Sequence, residues 1–159
     1  GTSLVLIEPR TLPDHTLASN WRASMISGGN PGTTDAAIFT GDSAADADRD
    51  GISALVEFAL GGSDANPADR RLLPIMETTY VGGQAYPALR YTRPPNTEGI
   101  HEILQVSTYL DNWTDVPFSN ENTAPLEPDG RIPVMLRSPY PITTTPRQFL
   151  RLKFTTTVP

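Results

Sequence analysis

The chain has 159 residues, which is enough for one domain with a sizeable hydrophobic core and no covalent cross-links. It contains no cysteine, so a disulfide framework and thiolate chemistry are excluded. The formal net charge of -6 argues against nucleic acid and anionic membranes as partners. No apolar run approaches the roughly 20 residues that a membrane span needs.

Much of the negative charge lies in one short segment. Residues 42–57 have a local net charge of -4, and the rest of the chain sums to -2. Carboxylates this close in sequence repel one another when a fold brings them together. The charge pattern therefore favours a cation as the ligand of this segment.

The N-terminal part of the chain, residues 1–70, is predicted to hold one strand, two short helices and the acidic loop. The strand is predicted over residues 3–7. The first helix is predicted over residues 17–25 (LASNWRASM), with Trp21 as its core anchor, and the Gly-Gly pair that follows would end it.

The acidic segment contains a twelve-residue pattern typical of an EF-hand calcium loop. Residues 46–57 read DADRDGISALVE, with acidic residues at positions 1, 3, 5 and 12 and glycine at position 6. Calcium takes six to eight oxygen ligands, and alternate aspartates on a tightly turned backbone let three carboxylates converge. The predicted calcium ligands are Asp46, Asp48, Asp50, the backbone carbonyl of Ile52 and Glu57.

A plainer interpretation of the same residues is a solvated acidic turn in front of a helix. Ala54 stands at position 9 of the loop and has no ligating side chain, so a water would have to complete the coordination shell. The strict alternation of the aspartates and the correct offset of Glu57 favour calcium.

The second helix is predicted over residues 53–60. One apolar face at helical spacing is formed by Ile52, Leu55, Val56 and Ala59. Gly61 would end this helix, since glycine adopts the left-handed cap conformation without steric cost.

Three polar residues, Asp64, Asn66 and Asp69, follow the second helix. They could supply oxygens to a second cation or complete the first site. They could instead form a turn in which the side chains bond to their own backbone, and their loose spacing favours the turn.

Residues 71–159 are predicted to form an antiparallel β-sandwich. In the last strand, apolar Leu150, Leu152 and Phe154 alternate with Arg151 and Lys153, which is typical of a half-buried strand. Further strands are predicted over residues 73–81, 87–92, 100–108 and 131–138. The predicted fold class is mainly β: a sandwich of six or seven strands, in one structural unit with a small N-terminal two-helix segment that carries the calcium loop.

The segment GDSAADADRDGISALVEFALGGSDANPAD resembles the dockerin-type or thrombospondin-type-3-like calcium loops found near the C-terminal ends of large secreted proteins of environmental bacteria. The tail is similar too, with Ser107, Leu110 and Trp113 in a Ser-x-x-Leu-x-x-Trp segment and RQFLRLKFT as a terminal strand. Two departures concern docking: a dockerin has two such loops, and Asn or Asp is usual where this chain has Ala54. The resemblance implies a secreted, non-catalytic module appended to a larger polypeptide.

The chain shows no GxSxG, HExxH or phosphate-binding glycine loop, and neither His15 nor His101 has a partner at catalytic spacing. We therefore expect no enzymatic activity. The leading hypothesis is a calcium-stabilised accessory or tail module that is secreted or displayed at the cell surface. One alternative is a carbohydrate-binding module that uses exposed aromatic residues such as Tyr109 and Tyr140. Another is a protein-docking module that uses the second predicted helix, next to the calcium loop.

Overall fold

The computed structural model describes residues 1–6, 12–24, 26–29, 35–120, 125–127 and 130–156, apart from the side chains of residues 19 and 120. The described chain is mainly β, with antiparallel sheets and little helix. The strands are β1 Leu4–Leu6, β2 Trp21–Ala23, β3 Ala37–Ile38, β4 Ile75–Val81, β5 Gln84–Arg93, β6 Thr97–Glu98, β7 Ile100–Ser107, β8 Thr114–Asp115, β9 Ser119–Asn120, β10 Ile132–Arg137 and β11 Phe149–Thr156. The helices are α1 Ala54–Leu60 and two short 3-10 helices, Ala18–Asn20 and Pro67–Leu72.

Two antiparallel sheets make up most of the β structure. One has the strand order β4-β5-β10-β9, and the other has the order β11-β7-β8. A small antiparallel pair joins β1 to β2, and two residues of β3 pair in parallel with β6.

The core combines side chains from both larger sheets and from α1. In the first sheet, β5 and β10 place Leu89 opposite Leu136. In the second, β7 and β11 place Leu104 opposite Leu152. The buried cluster is made up of Leu55, Ala59, Leu60, Leu89, Tyr91, Leu104, Val106, Val116, Val134, Leu136 and Phe154. The helix that follows the acidic loop therefore shares one core with the β-rich part of the chain.

The strands predicted from period-two alternation are confirmed, with ends that differ by a few residues. The segments predicted over 73–81, 87–92 and 100–108 contain β4, the middle of β5 and β7, and the last two predicted strands correspond to β10 and β11. The predicted N-terminal strand is confirmed as β1, although its last predicted residue lies outside the described residues. The helix predicted over residues 53–60 is α1, and Gly61 caps it in the left-handed conformation.

The helix predicted over residues 17–25 is wrong. Its described part is a 3-10 turn followed by β2, in which Trp21 is extended and pairs with Leu6. Trp21 is only half-buried, and its indole N–H donates to the His15 carbonyl over 2.9 Å, so it is not a core anchor. Pairing with β1 satisfies backbone groups that a short helix of moderate propensity would have satisfied locally. Met25, the last residue of that prediction, lies outside the described residues.

No helix in the described ranges has the length and apolar character required to cross a membrane.

Candidate metal site

The acidic loop folds its aspartates over its own backbone. The Asp50 N–H lies 3.1 Å from an oxygen of Asp46 and 3.1 Å from an oxygen of Asp48. The Gly51 N–H donates to the second Asp46 oxygen over 3.1 Å, and the Ile52 N–H donates to Asp50 over 2.8 Å. These bonds direct the carboxylates towards the inside of the turn.

Two residues with positive φ allow the backbone of the acidic loop to turn tightly. Gly51, at position 6 of the loop, has a φ of 87°, which a residue with a Cβ resists. Arg49 has a φ of 63° and adopts the left-handed conformation without being a glycine.

Three of the predicted ligands converge. Asp46, Asp48 and Asp50 each offer one carboxylate oxygen, and these oxygens all lie within 4.8 Å of one another. This geometry allows the three aspartates to hold a metal ion. It also brings three negative charges together, which favours a cation between them.

Glu57 lies outside this group of three but next to it. Its side chain, in the first turn of α1, is 2% exposed, and neither carboxylate oxygen has a hydrogen-bond partner. Burial, followed by the negative charges of Asp48, Asp50, Asp64 and Asp69, raises the pKa of Glu57 from 4.5 to about 7.

Two further oxygens at the site lack a partner. One carboxylate oxygen of Asp48 and one of Asp50 are buried without a hydrogen bond. Buried polar atoms are nearly always satisfied in folded proteins. Four orphaned carboxylate oxygens, counting the two of Glu57, therefore lie in one small region.

Ile52 is the seventh residue of the loop, and its carbonyl stays a predicted ligand. Its side chain is buried, and its N–H bonds to Asp50 as described above. The next turn is held by the Ala54 N–H, which donates to the Ala45 carbonyl over 2.8 Å. The bond from Ala54 to Ala45 thus joins the start of α1 to the residue that precedes the acidic cluster.

The residues after α1 form the predicted self-bonded turn. Asp69 accepts hydrogen bonds from the Ser63 N–H and from the Asn66 side-chain amide, over 2.9 and 2.8 Å. Asn66 also accepts from the Ala68 N–H, over 3.3 Å. Both Asp69 oxygens therefore accept hydrogen bonds within the turn, and a second cation at these residues stays a prediction.

Asp64 makes a hydrogen bond to the acidic loop that the sequence did not indicate. One of its oxygens accepts the Ala47 N–H over 2.7 Å, across 17 residues. This bond ties the segment after α1 back to the acidic loop, and its carboxylate also contributes to the raised pKa of Glu57.

Arg131 holds the other end of α1 and was also missed. Its guanidinium donates to the Leu60 carbonyl at the end of the helix, and to the Thr92 carbonyl of β5 over 2.9 Å. The sequence predicts only that Arg131 is the first residue of the strand over residues 131–138. No local signal could reveal a contact across 71 residues.

The exposed aromatic residues considered for glycan binding lie away from the acidic loop in sequence. Tyr109 is 68% exposed, and the guanidinium of Arg147 lies over its ring at 4.1 Å from the centroid. Tyr140 is 43% exposed. Their use as a sugar-stacking surface stays a prediction.

No protein-family model, no curated protein and no solved structure matches the chain. The fold and the site define a mainly β chain with three aspartates that could hold a metal ion.

Proposed function

We propose that this chain is a non-catalytic, calcium-stabilised accessory or tail module of a secreted or cell-surface protein. The observation that carries the proposal is the buried, unpartnered carboxylate of Glu57 beside the converging carboxylates of Asp46, Asp48 and Asp50. These four residues and the carbonyl of Ile52 would hold the ion.

A cation would remove the main electrostatic cost of this arrangement. An ionised carboxylate that is buried without a partner costs several kcal/mol, so it must be protonated, paired or bound to a metal. No basic side chain bonds to Glu57 in the described part of the chain. A bound divalent cation would supply the missing partner for Glu57 and for the orphaned oxygens of Asp48 and Asp50.

Calcium fits this donor set better than a transition metal does. The candidate ligands are all oxygens, from carboxylates and one carbonyl, and such ligands suit hard cations. Calcium tolerates irregular coordination on a flexible loop, whereas magnesium demands near-ideal octahedral geometry. When bound, calcium would neutralise the carboxylate charges and hold the loop against the start of α1.

The ion would have a structural role. The loop leads directly into α1, which packs against β5 and β11 of the two larger sheets. We infer that these sheets form the two layers of an antiparallel β-sandwich and that calcium fixes the start of α1 against it. Arg131 already holds the end of the same helix.

The assignment to the outside of the cell rests on two considerations. Calcium is abundant there, so a site that uses water at position 9 would still be filled. The resemblance of the loop and tail to modules of large secreted bacterial proteins favours the same location. The partner would then be the rest of a longer secreted polypeptide.

Thermal unfolding in calcium and in excess chelator tests the proposal. A ligand that binds only the folded state at about 100 times its Kd adds roughly 2.7 kcal/mol to stability, or about 5–10 °C in Tm for a chain of this size. We expect this shift with calcium and a smaller shift with magnesium at the same concentration.

Matched variants locate the effect. Asp48→Asn removes one charge from the loop and should lose more than half of the calcium shift. Asp111→Asn changes an exposed aspartate outside the loop and should keep all of it. A wild-type Tm that is the same in calcium and in chelator would overturn the proposal.

A further inference from the structure

Strand β4 is an uncovered edge with apolar side chains. It lies at the end of its sheet, and in the described ranges no strand pairs with its other side. The exposed fractions of its apolar residues are 48% for Ile75, 53% for Met76, 73% for Tyr80 and 40% for Val81. An exposed, apolar edge strand is a template on which another strand can pair.

The hydrogen bonds of β5 show which β4 groups face the free edge. The Pro87 carbonyl accepts the Ser138 N–H over 3.0 Å, so it points away from β4. Pro87 is the cross-strand partner of Thr78. In an antiparallel pair, two opposed residues direct their N–H and carbonyl groups either towards each other or away from each other. Since Pro87 directs its carbonyl away from β4, the N–H and carbonyl of Thr78 point away from β5, towards the free edge.

The backbone groups of Tyr80, two residues after Thr78, also face the free edge. The Ala85 carbonyl accepts the Ile142 N–H over 2.9 Å, and Ala85 is the partner of Tyr80. By the alternation of the ladder, Met76 faces the free edge as well. Met76, Thr78 and Tyr80 therefore present the backbone groups that a new strand would pair with.

We propose that a second copy of this chain binds at this edge, with its own β4 antiparallel to the first and the two-fold axis at Thr78. Thr78 is the middle residue of β4, and its backbone groups face outward, as a symmetric hydrogen-bonded pair requires. Met76 then faces Tyr80 of the partner subunit, and Ile75 faces Val81 of the partner subunit. Each apolar side chain meets another apolar side chain.

The charge of β4 favours its own copy as the occupant. Glu77 is the only charged residue of the strand, and its carboxylate is paired with Arg90 at 2.5 Å. In the proposed register Glu77 faces Thr79 of the partner subunit, so no like charges are opposed. Edge strands that stay single usually carry charges or proline along the edge, and the three outward-facing positions of β4 carry neither.

The interface should be a weak one. A single strand pair is small beside the roughly 1,200–2,000 Å² of a stable protein–protein interface. Sedimentation equilibrium of the chain therefore needs a wide concentration range, from about 10 μM upward towards the millimolar level. We expect the dimer fraction of the wild type to rise across this range.

Two lysine variants test the register. Thr78→Lys places two lysines directly opposite each other and should raise the dimer Kd by about fivefold, since opposed like charges cost up to about 1 kcal/mol. Thr79→Lys, one residue away, faces Glu77 of the partner subunit and should leave the Kd unchanged or lower it. Equal weakening by both variants would overturn the register, and a wild type that is monomeric throughout would overturn the proposal.

Because the chain has no cysteine, single-cysteine variants give an independent test. The Cα atoms of opposed residues in a hydrogen-bonded pair are about 5.5 Å apart, within the range that a disulfide bridges. Thr78→Cys should therefore form a covalent dimer on oxidation. The two copies of a cysteine in Thr79→Cys lie out of register and beyond the reach of a disulfide, so equal cross-linking of this variant would contradict the proposal.

Discussion

A carboxylate buried without a hydrogen-bond partner is costly, and Glu57 is such a group. Its side chain lies in the first turn of α1, where the apolar residues around it also enter the core. The fold therefore cannot expose Glu57 to water without moving the helix. In the absence of a metal, burial favours the protonated form of Glu57, and this makes the stability of the metal-free protein depend on pH.

The direction of that dependence follows from the raised pKa of Glu57. Its pKa is about 7 in the folded chain and 4.5 in an ordinary environment, so between these values the folded state holds more protons than the unfolded state. The stability of the metal-free protein should fall as pH rises from about 4.5 to about 7 and should stay lower above that. Chemical denaturation of chelator-treated protein at several pH values measures this.

Glu57→Gln is the matched test of the cause. It keeps the shape and removes the charge, so in chelator it should be more stable than wild type at pH 8 and should lack the fall below pH 7. Glu127→Gln makes the same change at an exposed position and should behave like wild type. If the stability of Glu57→Gln falls with rising pH as steeply as that of wild type, a group other than Glu57 causes the fall.

The three aspartates were predictable because their convergence is a local property. Alternate spacing and a glycine at position 6 are enough to turn the backbone, and the hydrogen bonds from Asp50, Gly51 and Ile52 complete the turn. The hydrogen bond from the Ala47 N–H to Asp64 was not predictable, since it joins residues on either side of α1. Calcium itself stays a prediction.

Among the elements, α1 shows how local and distant contacts cooperate. Its apolar spacing and its glycine cap were predicted from neighbouring residues, and both are confirmed. Arg131, the residue before β10, donates a hydrogen bond to the last helical carbonyl. The C-terminal end of α1 is thus held by Arg131 independently of any ion at its N-terminal end.

Gly61→Ala should destabilise the protein through this cap. Gly61 has a φ of 75°, and a Cβ there would lie 2.6 Å from a nitrogen of Arg131 and 2.7 Å from a side-chain carbon of Pro94. The left-handed conformation alone costs an alanine about 1 kcal/mol, and the crowding adds to this. Urea denaturation measures the total.

Gly83→Ala separates the two contributions. Gly83 has a similar φ of 79°, but nothing lies within 4 Å of its added Cβ. It should therefore show the backbone cost alone, and Gly61→Ala should cost clearly more. Equal losses would mean that Arg131 and Pro94 move aside freely.

The strands divide into those that a pattern can reveal and those that it cannot. Strands of six residues or more, such as β7 and β11, show apolar alternation and were predicted. The two-residue strands β3, β6, β8 and β9 have no period to detect, because pairing partners elsewhere in the chain create them. The β2 strand was misassigned for a related reason, since its pairing with β1 decided its conformation.

At the scale of the whole molecule, the shared core makes the loop segment and the sheets interdependent. Leu104 of β7 and Leu136 of β10 are both fully buried, and Leu60 of α1 belongs to the same cluster. A change in one sheet should therefore destabilise the whole chain, and unfolding should be a single transition that a bound cation would shift as a unit.

Leu104→Ala tests this coupling. Removing a fully buried leucine side chain should cost about 2–5 kcal/mol, because it loses apolar burial and leaves a cavity. Leu4→Ala, at a position 69% exposed, should change stability by less than about 0.5 kcal/mol. Two separate unfolding transitions in Leu104→Ala would show that the loop segment does not share the core's stability.

Calcium titration of chelator-stripped protein by isothermal titration calorimetry, with the bound metal counted by equilibrium dialysis, tests the central claim most directly. The prediction is one calcium ion per chain for the wild type and for Glu127→Gln, with binding greatly weakened or lost in Glu57→Gln. Absence of bound calcium in the wild type, or unchanged binding in Glu57→Gln, would contradict it.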